Sequence, residues 1–180
     1  MGGILHILFV CTGNICRSPV AERLSKAYAA TRQIPDFVAS SAGTRAVIDQ
    51  AIHPSATRVL EELGGDPAGF RARQLTPKIA ASADLIVTMT AAHRDEVLEL
   101  APWKLNRTFM LSEASQLSQR WSPRSVDELA PLRSQLGAEE RVDVVDPMGQ
   151  APEVFRSVGE KIAMLLPPVI DLCGPDKVRA

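Results

Sequence analysis

Cys11 and Arg17 are separated by five residues in the run Val10-Cys11-Thr12-Gly13-Asn14-Ile15-Cys16-Arg17-Ser18-Pro19. A thiolate is a strong nucleophile, and a guanidinium offers a planar fork that matches two phosphate oxygens. The residues between them suit an anion cradle. Gly13 and Asn14 tolerate left-handed backbone, which turns successive N–H groups toward one point. A helix opening at Ser18-Pro19 would add free N–H groups and about half a positive charge. That field favours a thiolate at Cys11, and the Ser18 hydroxyl can donate to its sulfur. Thr12, Gly13, Asn14, Ile15, Cys16 and Ser18 are thus expected to surround a tetrahedral oxyanion, with Cys11 as nucleophile and Arg17 as its clamp.

The bare pattern is weak, and the chain carries a second copy from Cys173 to Arg179. There no helix start follows and Pro175 interrupts the loop, so that copy reads as coincidence. The first copy differs because of the elements around it. Ile4 to Val10 is a near-continuous apolar run, as expected of a strand buried on both faces. Pro19 suits the first turn of a helix whose apolar face is Val20, Leu24, Ala27 and Tyr28. Further strands are expected at Phe37 to Ser41, Leu85 to Val87 and Thr108 to Leu111. Helices are expected from His53-Pro54 to Gly64-Gly65, from Thr90 to Leu100, and from Pro152 to Pro167-Pro168. This alternation predicts an α/β three-layer sandwich. Its four parallel strands would take the order 2-1-3-4, with helices on both faces. Cys11 would then lie at the switch point, where such sheets bind ligands. Residues 1–180 read as one domain with a surface excursion at about 112–145. A capping box is expected there at Ser125-x-x-Glu128, with a helix shortened or kinked by Pro131.

Composition narrows the setting. The chain has 180 residues, 46% of them hydrophobic and 23% charged, with a net charge of -1. That is a globular profile without the basic excess of a nucleic-acid protein. Three cysteines do not make a secreted disulfide scaffold, and no signal peptide is evident, so a reducing, cytoplasmic setting is expected. Ile162 to Cys173 is broken by Pro167, Pro168 and Asp171, so it is not a membrane span. His6, His53 and His93 have no ligand spacing, so neither a metal nor another cofactor is expected.

The run Cys11 to Pro19 resembles the phosphate-binding loop of the low-molecular-weight protein tyrosine phosphatases. Further matches follow in chain order: Ser41-Ala42-Gly43-Thr44, Ala72-Arg73-Gln74-Leu75-Thr76, Asp84-Leu85-Ile86-Val87 and Asp146-Pro147. The resemblance covers about residues 4 to 166, apart from the excursion. It implies that Cys11 forms a phosphocysteine and that Asp146 serves as general acid and then general base. It also implies that Asn14 and Ser41 are a structural pair fixing the loop, and that Cys16 can form a reversible disulfide with Cys11. The implied partners are a phosphorylated protein, with phosphotyrosine first, and a cognate kinase. The resemblance leaves oligomeric state open.

Three positions depart from the pattern. Tyrosine-specific members carry an aromatic residue after the Asp-Pro, where this chain has Met148 and Gly149. They carry another aromatic beyond the Ser-Ala-Gly-Thr loop, where Val47 is the nearest match. Their histidine before Ala-Arg-Gln is replaced by Phe70. Aromatics make up only 4% of the chain, and both expected pocket walls are aliphatic. Protein arginine phosphatases share a non-tyrosine Asp-Pro loop but favour Thr where Ile15 stands. Thioredoxin-linked arsenate reductases need cysteines that residues 80 to 100 lack, although another thiol-linked reductase would not. A non-catalytic phosphate-binding module would need neither Cys11 nor Asp146.

Overall fold

The computed structural model describes residues 5–174. Ile4, the expected start of the first strand, and Arg179, the end of the second Cys-Arg pattern, lie outside that range. In chain order the main elements begin with β1 (His6–Cys11), α1 (Arg17–Thr31), β2 (Val38–Gly43) and α2 (Pro54–Glu62). They continue with α3 (Pro77–Ser82), β3 (Leu85–Thr88), α4 (Ala91–Leu100) and β4 (Thr108–Met110). The chain then forms α5 (Leu111–Trp121), α6 (Leu129–Leu132) and α7 (Pro152–Ile170).

The four strands form one parallel sheet in the order β2-β1-β3-β4. Alternate residues of β1 serve opposite layers, as the period of a strand dictates. Ile7, Phe9 and Cys11 enter the larger core with α1, α2, α5 and α7. Leu8 and Val10 enter the smaller core with Ala80, Val97 and Ala101 from α3, α4 and the turn beyond. Both faces are covered, which explains why β1 is an unbroken apolar run. Cys11 ends β1 in register with Gly43 of β2.

Helix starts follow local chemistry. The side chains of Thr76 and Thr90 accept from the third N–H of α3 and α4, and His53 Nδ1 accepts from Ser55 N–H at the start of α2. Pro19 sits third rather than first in α1, still within the turn whose N–H groups lack intrahelical partners.

Two expectations need correction. The segment expected as a surface excursion opens with a core helix, because α5 buries Leu111, Ala114 and Leu117 completely and packs against α7. Ser112, Ser115, Ser118 and Glu113 are buried on the same helix, and its first residue, Leu111, reads in the sequence as the end of the preceding strand. Glu113 is buried but partnered, accepting from Met110 N–H (3.2 Å) and Arg133 Nε (3.1 Å). Beyond α5 the chain makes short turns and the four-residue α6, which contains Pro131. Ser125 makes no capping bond there, and Glu128 accepts from Arg124 N–H instead. Second, α7 runs through Pro167 and Pro168 rather than stopping at them. Two helical hydrogen bonds are lost, while Val169 and Ile170, both fully buried, anchor the last turn. Among the described residues no helix is long and apolar enough to cross a membrane.

Candidate active site

The loop between β1 and α1 is held from outside by its carbonyls. Thr44 N–H donates to Cys11 O (2.9 Å), Arg45 N–H to Thr12 O (3.0 Å), Val47 N–H to Gly13 O (2.9 Å) and His53 N–H to Ile15 O (2.8 Å). With carbonyls engaged outward, such a loop turns its N–H groups toward its centre. Asn14 takes the left-handed conformation that makes this curl, with φ 55°. Gly43 permits the close approach of β2, since a Cβ there would lie 2.4 Å from Thr12 O.

A buried polar chain runs behind the loop, and its donor order follows from one end. Glu22 is salt-bridged to Lys26 (2.6 Å) and can only accept. Ser41 Oγ donates to Glu22 Oε2 (2.7 Å), so it must accept from Asn14 Nδ2 (2.9 Å). Arg73 N–H donates to Asn14 Oδ1 (2.9 Å), which fixes the same amide orientation independently. The second hydrogen of Asn14 Nδ2 then goes to Ser18 Oγ (2.9 Å). The Ser18 proton is left for Cys11 Sγ, 2.9 Å away.

Arg17 is buried and joins this loop to a second one. Its Nη1 donates to Val144 O (3.1 Å), and its Nη2 lies 3.0 Å from Asp146 Oδ2. Its buried Nε has no partner among the described residues, an open valence of the kind an anion fills. Asp146 is half exposed and accepts from Met148 N–H (3.1 Å). Its loop is pinned to α4, where Asp143 Oδ1 accepts from Ala91 N–H (2.9 Å) and Val144 N–H donates to Met89 O (2.8 Å).

Two aliphatic side chains flank the cradle. Val47 packs over Gly13, whose Cβ, if present, would lie 3.5 Å from Val47 Cγ2. Met148 Sδ accepts from the Cys16 thiol at 3.3 Å. Both are nearly half exposed, while Ile15 is half-buried. Burial first, then the Cys11 and Asp146 charges, push the Cys16 thiol up to about 12. Phe70 is buried under the Arg23 guanidinium, which stacks 5.5 Å from its ring centre.

A cysteine at the end of β1, a loop with its carbonyls engaged outward and a carboxyl group over it form one continuous site. The family model for low molecular weight phosphotyrosine protein phosphatases matches residues 6–170. The chain belongs to this family. A probable low molecular weight protein-tyrosine-phosphatase, EpsP, from Ralstonia nicotianae is 36% identical over 143 residues, spanning 79% of this chain and 89% of that protein. A protein-arginine-phosphatase from Geobacillus stearothermophilus is 30% identical over 161 residues, 89% of this chain and 90% of its own. Among solved structures, a low molecular weight protein tyrosine phosphatase from T. tengcongensis superposes with a TM-score of 0.75 at 28% identity, covering 93% of this chain and 98% of its own.

Within this phosphatase fold, the candidate site residues gather at the carboxyl end of β1. Cys11, Thr12, Gly13, Asn14, Ile15, Cys16, Arg17 and Ser18 form the loop or its exit. Ser41 lies behind it, Asp146 faces it, and Val47 and Met148 border it. Of the second cysteine pattern, Cys173 is buried in the short turn that follows α7, and Arg179 lies outside the described residues.

Glu22 looks like an ordinary charged residue, while Arg73 and Gly43 lie in segments that carry the family resemblance without any sign of their own role. His93, which has no ligand spacing in the sequence, is buried with its Nε2 2.8 Å from Thr12 Oγ1. Burial, then the Arg17 charge, push its imidazolium down to about 4. His6 and His53 serve structure, bridging Ser82 and Ser40 and stacking on Phe155 respectively.

Proposed function

We propose that this protein hydrolyses phosphomonoesters without a metal, acting on phosphotyrosine in proteins through a phosphocysteine on Cys11. The observation that carries this reading is Arg17, which lies between the nucleophile's loop and Asp146, 3.0 Å from the carboxylate. Cys11 Sγ attacks phosphorus in line, forming an S–P bond as the bond to the leaving oxygen breaks. Arg17 and the loop N–H groups hold the equatorial oxygens as charge develops on them. The Asp146 carboxyl gives its proton to the leaving oxygen. As carboxylate it then takes a proton from a water that attacks phosphorus. The P–S bond breaks, and the thiolate and inorganic phosphate are released.

Hydrolysis of phosphotyrosine peptides in the presence of a chelator, lost on Cys11→Ser, tests this reading. Survival of activity in Cys11→Ser, or dependence on a divalent ion, overturns it.

A second reading, protein arginine phosphatase, is supported by the rim. Val47 and Met148 offer aliphatic walls where ring stacking would add about 0.5–1.5 kcal/mol per aromatic pair. The similar protein-arginine-phosphatase supports it too, while Ile15 supports the tyrosine reading. A panel of phosphotyrosine, phosphoarginine and phosphoserine peptides with arsenate separates the two from each other and from a thiol-linked reductase. The expected result is at least a tenfold preference for phosphotyrosine. The same reading places the protein in the cytoplasm, opposite a tyrosine kinase, with Cys16 as a redox partner for Cys11.

A further inference from the structure

We propose that His93 is a positioning residue of the phosphatase loop, clamping the Thr12 hydroxyl and with it the peptide units next to Cys11; this rests on the hydrolase reading above. His93 Nε2 lies 2.8 Å from Thr12 Oγ1. Nδ1 is buried and has no hydrogen-bond partner among the described residues. The neutral ring holds one proton, and its place follows from cost. A buried N–H without an acceptor is rarer in folded proteins than an acceptor lone pair without a donor. The proton therefore sits on Nε2 and is donated to Thr12 Oγ1.

Thr12 is then held at two points. Its carbonyl accepts from Arg45 N–H at 3.0 Å, and its side chain accepts from His93. Because Thr12 follows the nucleophile directly, these two points set the peptide planes whose N–H groups face the anion. His93 is itself firmly placed, as its backbone N–H donates to Thr90 Oγ1 at the start of α4 (3.1 Å). That same turn holds the acid loop through Ala91 N–H and Asp143 Oδ1. One helix turn thus registers the nucleophile's loop against the loop that carries Asp146.

The charged groups acting on the ring are Arg17 from α1, Glu96 from α4, and Asp143 and Asp146 from the acid loop. Burial first, and then the neighbouring Arg17 cation, disfavour the imidazolium against the pull of the three carboxylates, so the neutral ring serves as a fixed donor.

The test uses four variants and two readouts. His93→Phe and Thr12→Val each remove the contact. His93→Gln and Thr12→Ser each keep a donor or acceptor. The readouts are kcat/KM on an aryl phosphate and the Kd of inorganic phosphate. The removing variants are expected to lose about tenfold in both. The double variant His93→Phe/Thr12→Val should lose no more than either single, because both cut one contact. The keeping variants should recover to within threefold.

Losses that multiply in the double variant overturn the proposal. So does a His93→Phe that is less heat-stable yet keeps kcat/KM and phosphate Kd within twofold of wild type. If His93→Phe does not fold, the contrast between Thr12→Val and Thr12→Ser decides alone. Absence of aryl phosphate turnover in the wild type would overturn the hydrolase reading. The phosphate Kd series would still judge the clamp.

Discussion

Arg17 Nη2 lies 3.0 Å from Asp146 Oδ2, so the guanidinium that faces the anion cradle also holds the carboxylate above it. Arg17 is buried, whereas Asp146 is half exposed. An arriving phosphoryl group adds negative charge beside that carboxylate and competes with it for the guanidinium. The anion and the carboxylate are thus rivals for one guanidinium.

Removing the charge at that position should therefore improve anion binding while impairing turnover. Asp146→Asn is expected to lower the Kd of inorganic phosphate by about three- to tenfold, the scale of a partly screened ion pair. Calorimetric titration of the wild type and the variant measures it. Weaker binding by the variant would show that the carboxylate helps the cradle rather than competes with it.

A general acid matters most when the leaving oxygen is a poor one. Asp146→Ala is expected to lower kcat by about 10²–10⁴ for an alkyl or unactivated aryl phosphate, and much less for a nitrophenyl phosphate. A series of aryl phosphates of graded leaving-group pKa reads this directly. Equal losses across the series would remove Asp146 from its role.

These assignments differ in how far sequence alone supports them. The loop is readable because its parts are contiguous: a buried strand, Cys11, residues with left-handed tolerance, then Arg17 and a helix start. Asp146 needs the family resemblance, since an Asp before a Pro has many ordinary uses. His93 carries no signal because its partner, Thr12, lies 81 positions away and only the fold joins them. Glu22 is silent for the same reason, acting through Ser41, and the matched segment that holds Gly43 gives no sign of the space this glycine leaves for Thr12 O. Helix α5 is missed because Leu111, its first residue, reads as the last of the strand before it. Pro167 and Pro168 read as a stop, yet the burial of Val169 and Ile170 carries α7 past them.

Cys16 sits in the loop with its thiol pushed up to about 12 and its hydrogen directed at Met148 Sδ. It is thus a weak nucleophile at rest, and peroxide should oxidise Cys11 first. The Cys11 sulfenic acid then condenses with the Cys16 thiol to a disulfide and water. Reversible inactivation by peroxide is expected for the wild type, and irreversible loss for Cys16→Ser. Equal recovery of both on adding dithiothreitol would remove Cys16 from this role.

The lowered His93 value also predicts a pH dependence of stability. The folded state holds the imidazole near 4 against an ordinary value of 6.5, so the unfolded chain binds the extra proton between them. The stabilisation is full above about 6.5 and is lost as the pH falls toward 4, a span of about 3 kcal/mol. Urea unfolding at pH 7 and at pH 4.5 should show a smaller acid loss for His93→Gln than for the wild type. Identical losses would mean that the ring is as easily protonated folded as unfolded.

The central claim is a covalent phosphoryl group on Cys11, formed without a metal and cleared with the help of Asp146. Rapid acid quench of Asp146→Ala turning over a nitrophenyl phosphate in chelator, followed by mass spectrometry of the proteolysed protein, tests it most directly. The account predicts phosphate on the peptide containing Cys11 and none when Cys11→Ser is added. Turnover with no covalent phosphate, or with phosphate on another residue, would contradict it.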